Sequence, residues 1–112
     1  MQNLRYVGKN LFIEKISINN ILKRNKTPFY LYSENQIINN FLKFKKVFKK
    51  TNPLICFAAK SNSNVSILKT LGKLGAGTDV VSGGELLKAL KAGIKPCLLY
   101  TSPSPRDRTR SR

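Results

Sequence analysis

Leu54-Ile55-Cys56-Phe57-Ala58-Ala59-Lys60-Ser61-Asn62 is the stretch whose reading decides the fold. Pro53 stands in front of it and the polar run Ser61-Asn62-Ser63-Asn64 closes it. A short apolar segment with β-branched and aromatic members, bounded in this way, reads over 54–59 as a fully buried strand of a parallel sheet. The run ends on Lys60, where an α/β strand delivers side chains to a site at its carboxyl end. Two readings stand for this lysine. Its stem can snorkel along the sheet and put the ammonium in water. Alternatively, its apolar strand desolvates it, leaving a free amine able to form a Schiff base with an aldehyde cofactor.

Outward from this strand, the pattern alternates. Before it, Phe29-Tyr30-Leu31-Tyr32 reads as a strand by aromatic content. Ser33-x-x-Gln36 is a capping box, and Ile37, Phe41, Phe44 and Phe48 follow at helical spacing, widened by Ile38 and Leu42. After it, Ser63 or Asn64 caps a helix with Val65, Leu68, Leu71 and Leu74 on one face, and Gly75 suits its end. Residues 78–82 then read as a strand, and Ser82-Gly83-Gly84-Glu85 as a second capping box opening a helix over 86–92 that stops at Gly93. From residue 28 the predicted order is β-α-β-α-β-α, which implies right-handed crossovers and a parallel sheet. Lys60 and Asp79 fall at corresponding points of consecutive strands, one at the carboxyl end and one entering it, and neighbouring parallel strands lie ~4.8 Å apart, so both can converge on one pocket. Upstream, residues 1–10 read as polar and poorly ordered, 11–18 as a strand, and 19–24 as a short helical turn.

At 112 residues the chain is one domain at most, and 41% hydrophobic content suffices for a core. The net charge of +16 invites a nucleic-acid reading. However, Lys43, Lys45, Lys46, Lys49 and Lys50 sit late in one predicted helix, where they complement its dipole and solvate a face. No ladder of exposed aromatics accompanies them, so nucleic acid is not the expected partner. Cys56 and Cys97 give no metal-ligand spacing, and histidine is absent. No metal is expected. The chain shows neither a signal-peptide pattern nor a membrane-length apolar run, and is expected to be cytoplasmic.

Three motifs carry a family resemblance. Thr27-Pro-Phe-Tyr-Leu-Tyr-Ser33, Phe57-Ala-Ala-Lys60-Ser-Asn62 and Gly77-Thr-Asp79-Val-Val-Ser-Gly-Gly-Glu-Leu86 together closely resemble the diaminopimelate decarboxylases, fold-type III pyridoxal-phosphate enzymes of the alanine-racemase type. The third motif is the most specific. Ser61 departs mildly from the family, which has alanine after the lysine. The resemblance implies an α/β fold, the amino-terminal part of a TIM-like (β/α)8 barrel, truncated here because a whole barrel needs ~250 residues. It implies pyridoxal 5'-phosphate as cofactor, a small amino-acid substrate (meso-2,6-diaminopimelate, converted to L-lysine and carbon dioxide) and a homodimer in the longer protein. By resemblance Lys60 holds the cofactor as a Schiff base, Asp79 and Glu85 hold and orient the lysine once it is released, and Ala58 walls the cofactor. For Glu85 a capping box alone is a sufficient account.

The expected division is a lead-in over 1–27, partly belonging to a second β domain, then barrel units over 28–96. Residues 97–112, with Pro103, Pro105 and four arginines in place of the preceding lysines, are expected to be a non-native tail that forms neither helix nor central strand. The family's remaining machinery would lie downstream, so the 112-residue chain is expected to be inactive. Two other readings stay open: a non-catalytic pyridoxal-phosphate-binding barrel protein and a small basic RNA-binding protein.

Overall fold

The Asn64 side chain accepts a hydrogen bond from Ser66 N–H at 2.9 Å and so starts a helix where the sequence offers the first cap after the central strand. Caps of this kind set the punctuation of the chain, for which a computed structural model describes residues 3–101. The chain forms two compact units, residues 1–40 and 41–112.

In the first unit, β1 (Leu4–Val7), β2 (Asn10–Ile13) and β3 (Ile16–Ser17) make an antiparallel sheet in that order. The expectation of poor order over residues 1–10 is therefore corrected for residues 4–10, while residues 1 and 2 lie outside the described residues. Arg5, Tyr6 and Val7 pair with Phe12, Leu11 and Asn10 across a tight turn at Gly8, whose φ of +61° glycine adopts without a Cβ clash. The single strand predicted over 11–18 is also corrected, since a turn at Glu14 (φ +54°) splits it into β2 and β3. α1 (Ile18–Leu22) occupies the predicted helical turn. Residues 29–32, predicted as a strand, join no ladder. Their aromatic content is real, but Tyr30 is 91% exposed and no neighbouring strand among the described residues offers it hydrogen bonds.

α2 (Glu34–Val47) begins at Ser33, whose Oγ accepts from Gln36 N–H at 3.0 Å, as the capping box predicts. Of its apolar stripe only Phe41 is buried. Phe44 and Phe48 are exposed and stack on each other, ring centroids 4.8 Å apart.

In the second unit, β4 (Cys56–Ala58), β5 (Gly77–Val80) and β6 (Leu99–Thr101) form a parallel sheet in the order β4-β5-β6, linked by α3 (Val65–Lys73) and α4 (Gly83–Lys91). Gly75 and Gly93, at φ +86° and +85°, end the two helices in the left-handed conformation. The order observed from residue 34 is α-β-α-β-α-β. One face of the sheet is closed: Ala59, Leu68, Val80, Ala89, Ala92 and Ile94 form the core, with Phe57, Val65 and Leu99 packed on it. The other face is open, which corrects the prediction of a fully buried central strand. Cys56 and Leu54 are exposed because β4 has a neighbour on only one edge.

Part of the stretch expected to be a tail, 97–112, carries regular structure. Residues 99–101 form a parallel strand, with Thr78, Asp79 and Val80 opposite Leu99, Tyr100 and Thr101. Leu-Tyr-Thr has strand-forming side chains, it precedes the prolines, and the edge of β5 was free to receive it. The rest of that stretch, 102–112, lies outside the described residues.

Candidate active site

Strand alternation sorts the residues of β4 and β5 between the two faces. Phe57 and Ala59 belong with the buried Thr78 and Val80 on the helix-covered side. Cys56, Ala58, Gly77 and Asp79 fall on the open side. The register puts Cys56 opposite Gly77 and Ala58 opposite Asp79, so a small residue and a carboxylate are direct cross-strand neighbours. Ala59 N–H donates to the Asp79 carbonyl at 2.9 Å and extends the ladder by one bond. Ala58 and Asp79 are half-buried, while the Asp79 Oδ1 atom is buried. The register thus sets Ala58, and not Lys60 as the spacing suggested, level with Asp79.

Lys60 lies two residues past Ala58, in the turn that leaves β4 at its carboxyl end. It is exposed, and among the described residues no further strand lies beside the three-stranded sheet to cover it. The turn itself is well held. The Ala58 carbonyl accepts from both Ser61 N–H (3.1 Å) and Ser61 Oγ–H (2.7 Å). Ser61, the residue that departs from the family pattern, therefore closes the turn with its own hydroxyl. Asn62 Oδ1 accepts from Asn64 N–H at 3.0 Å, which fixes the approach to α3.

Glu85 stands at the start of α4. Its N–H donates to Ser82 Oγ at 3.2 Å, and its Oε2 accepts from Val81 N–H at 2.8 Å. The capping box is real, with the carboxylate reaching one residue further back than the Ser82 N–H such a box commonly uses. One carboxylate oxygen is thereby committed to the backbone between β5 and α4.

Cys56 lies inside the apolar run read as a buried strand, a position that suits a small core residue. It is exposed on the open face, with its sulfur over Gly77. Partial desolvation pushes its thiol pKa up, and the nearby Asp79 carboxylate adds to the shift. The period-two alternation of Cys56 with Ala58 was the sequence signal for this, masked by the uniformly apolar composition of 54–59.

Residues 34–109 match the family model for the pyridoxal-dependent decarboxylases, pyridoxal binding domain. The chain is 58% identical over 71 residues to a diaminopimelate decarboxylase of Helicobacter pylori, a match covering 63% of this chain and 18% of that protein. A solved structure from Aquifex aeolicus superposes with a TM-score of 0.82 at 43% identity, over 91% of this chain and 25% of that one. Diaminopimelate decarboxylase from m. jannaschii, solved in co-complex with L-lysine, superposes with a TM-score of 0.79 at 30% identity, over 90% of this chain and 25% of that one. The chain thus spans about a fifth to a quarter of the length of these relatives. Its α/β unit is accordingly a part of an alanine-racemase-type barrel that does not close, and the chain belongs to the diaminopimelate decarboxylase family of pyridoxal-dependent decarboxylases.

Proposed function

We propose that the chain is the lysine-bearing part of a decarboxylase that converts meso-2,6-diaminopimelate to L-lysine and carbon dioxide, and that the 112 residues alone are inactive. The observation that carries this reading is the pairing of Ala58 with Asp79 at the carboxyl ends of β4 and β5, with Lys60 exposed just beyond. These residues fit pyridoxal 5'-phosphate. Lys60 offers a primary amine in reach of solvent, which can condense with an aldehyde. The short side chain of the half-buried Ala58 leaves a low floor on this face beside Asp79. Asp79 supplies a carboxylate on the same face, able to hold and orient the amine when a substrate amine takes its place at the cofactor. Glu85 anchors the segment between β5 and α4 through the Val81 N–H.

When bound, the cofactor supplies an electron sink. In the overall reaction the bond between the α-carbon and its carboxylate breaks, carbon dioxide leaves, and a proton takes its place on that carbon. The relatives support the substrate: the Helicobacter pylori protein bears the decarboxylase name, and the m. jannaschii structure holds L-lysine, the product of this chemistry. Size supports inactivity of the chain alone, because a closed barrel takes ~250 residues and, among the described residues, β4 and β6 each have an open edge.

The test is chemical. The chain is incubated with pyridoxal phosphate, reduced with borohydride and digested, and the adducts are mapped by mass spectrometry. Preferential labelling of Lys60 over the other lysines is expected, with no carbon dioxide released from diaminopimelate. Uniform labelling overturns the assignment of Lys60, and carbon dioxide release overturns the inactivity.

A further inference from the structure

The loop carrying Lys60 is held from a second direction. Lys88, on α4, donates from Nζ to Ser63 Oγ at 3.0 Å across 25 positions of sequence. Ser63 sits between Lys60 and the Asn64 cap of α3. The other ties of this loop (Ser61 to the Ala58 carbonyl, Asn62 to Asn64, Asn64 to Ser66) are all local, spanning two or three residues. They fix the shape of the turn but not its direction relative to β5 and α4. The Lys88–Ser63 bond does that. It joins the loop after β4 to the helix after β5, the helix whose first turn also holds Glu85.

We propose that Lys88 is a positioning residue that acts through Ser63 to hold the Lys60 loop against α4, setting the direction in which the Lys60 amine is presented to the cofactor aldehyde. This rests on the reading of Lys60 given above. Lys88 touches neither cofactor nor substrate. Its ammonium is the donor, the Ser63 hydroxyl oxygen the acceptor, and a methyl-terminated chain at 88 removes the donor while keeping the stem's packing.

The experiment uses the full chain, pyridoxal phosphate as the probe and borohydride reduction, in wild type, Lys88→Met, Lys88→Arg, Ser63→Ala and the Lys88→Met/Ser63→Ala pair. Labelling of the other lysines serves as the internal reference. Lys88→Met and Ser63→Ala are each expected to slow Lys60 labelling by roughly fivefold, as one charge-assisted hydrogen bond at an exposed position can supply. The pair is expected to be no slower than either single variant, and Lys88→Arg is expected to restore the rate. Amide exchange without the probe should quicken at Ser61 and Asn64 in Lys88→Met and stay unchanged in the core of α3. Unaltered Lys60 labelling and exchange in Lys88→Met, with wild type labelled preferentially at Lys60, overturn the positioning role alone. Absence of preferential labelling in wild type overturns the reading of Lys60, and the positioning role with it.

Discussion

A Cβ placed on Gly77 would lie 2.7 Å from Cys56 Sγ and 2.8 Å from the Leu98 carbonyl oxygen. The first contact could be relieved by rotating a side chain, but the second is backbone. β4, β5 and the segment entering β6 therefore converge on a point that only glycine leaves open. Gly77→Ala is expected to destabilise the second unit by ~1–3 kcal/mol, the usual cost of forcing an atom into close packing. Gly83→Ala is the matched control. Nothing lies within 4 Å of its Cβ, and it opens α4, so the change should be neutral or slightly stabilising. Urea titrations followed by circular dichroism separate the two, and equal midpoints for Gly77→Ala and wild type would remove the close-approach argument.

Leu68 is fully buried at the centre of the core formed with Ala59, Val80, Ala89, Ala92 and Ile94. Leu68→Ala should cost ~2–5 kcal/mol, the transfer free energy of the lost methyl groups plus the cavity they leave. Leu87, 68% exposed on α4, gives the contrast: Leu87→Ala should stay within ~0.5 kcal/mol. A similar loss at both positions in the same titration would mean that the helix-covered face is not the core.

The caps and the apolar periods made much of the second unit legible in the sequence. Asn64, Ser82 and Gly93 all stand where local chemistry demanded. The exact register was not legible: spacing aligned Lys60 with Asp79, whereas the ladder sets Ala58 there and leaves Lys60 in the turn beyond, because caps locate helix starts but not where the ladder begins. What was not legible depended on absent neighbours. The aromatic run over 29–32 has strand composition, but a strand exists only where another ladder meets it. The exposure of Cys56 and Lys60 likewise comes from strands that the three-stranded sheet lacks. Residues 99–101 failed the other way. Prolines and arginines two to eleven positions beyond Thr101 outweighed three good strand formers, although proline disturbs only its own position and the one before it.

The thiol of Cys56 should be a slow nucleophile near neutral pH. Desolvation and the Asp79 carboxylate both disfavour the thiolate, which is the reactive form. Alkylation by iodoacetamide, mapped site by site, is expected to be slower at Cys56 than at a cysteine in an unstructured peptide. Asp79→Asn removes the smaller of the two causes and should speed the reaction at Cys56 while leaving Cys97 unchanged. Equal rates in the two proteins would mean that Asp79 does not act on the sulfur.

Glu14 gives the first unit a pH dependence with a definite sign. Its Oε1 accepts from Ser33 Oγ–H at 2.6 Å and from Asn35 N–H at 3.0 Å, so a carboxylate from the turn between β2 and β3 sits on the first turn of α2. Asn3 adds to the cluster, donating from Nδ2 to Ser33 Oγ at 3.0 Å and to Gln36 Oε1 at 3.1 Å. The hydrogen bond from Ser33, then that from Asn35, hold the Glu14 carboxyl below its ordinary value of 4.5, against a smaller opposing effect of desolvation. A depressed folded pKa means that the ionised form is favoured by folding. Its contribution is complete above the unfolded glutamate value and is lost as pH falls through the folded one. Acidification below ~4 should therefore loosen the attachment of the turn to α2. Amide exchange at Asn35, followed by NMR as pH is lowered, should quicken through that window. Glu14→Gln keeps an acceptor oxygen but cannot ionise, so its exchange, corrected for intrinsic rates, should lose the acid-dependent step. The same step in both proteins would assign it to another carboxyl group, with Glu34 next to be replaced.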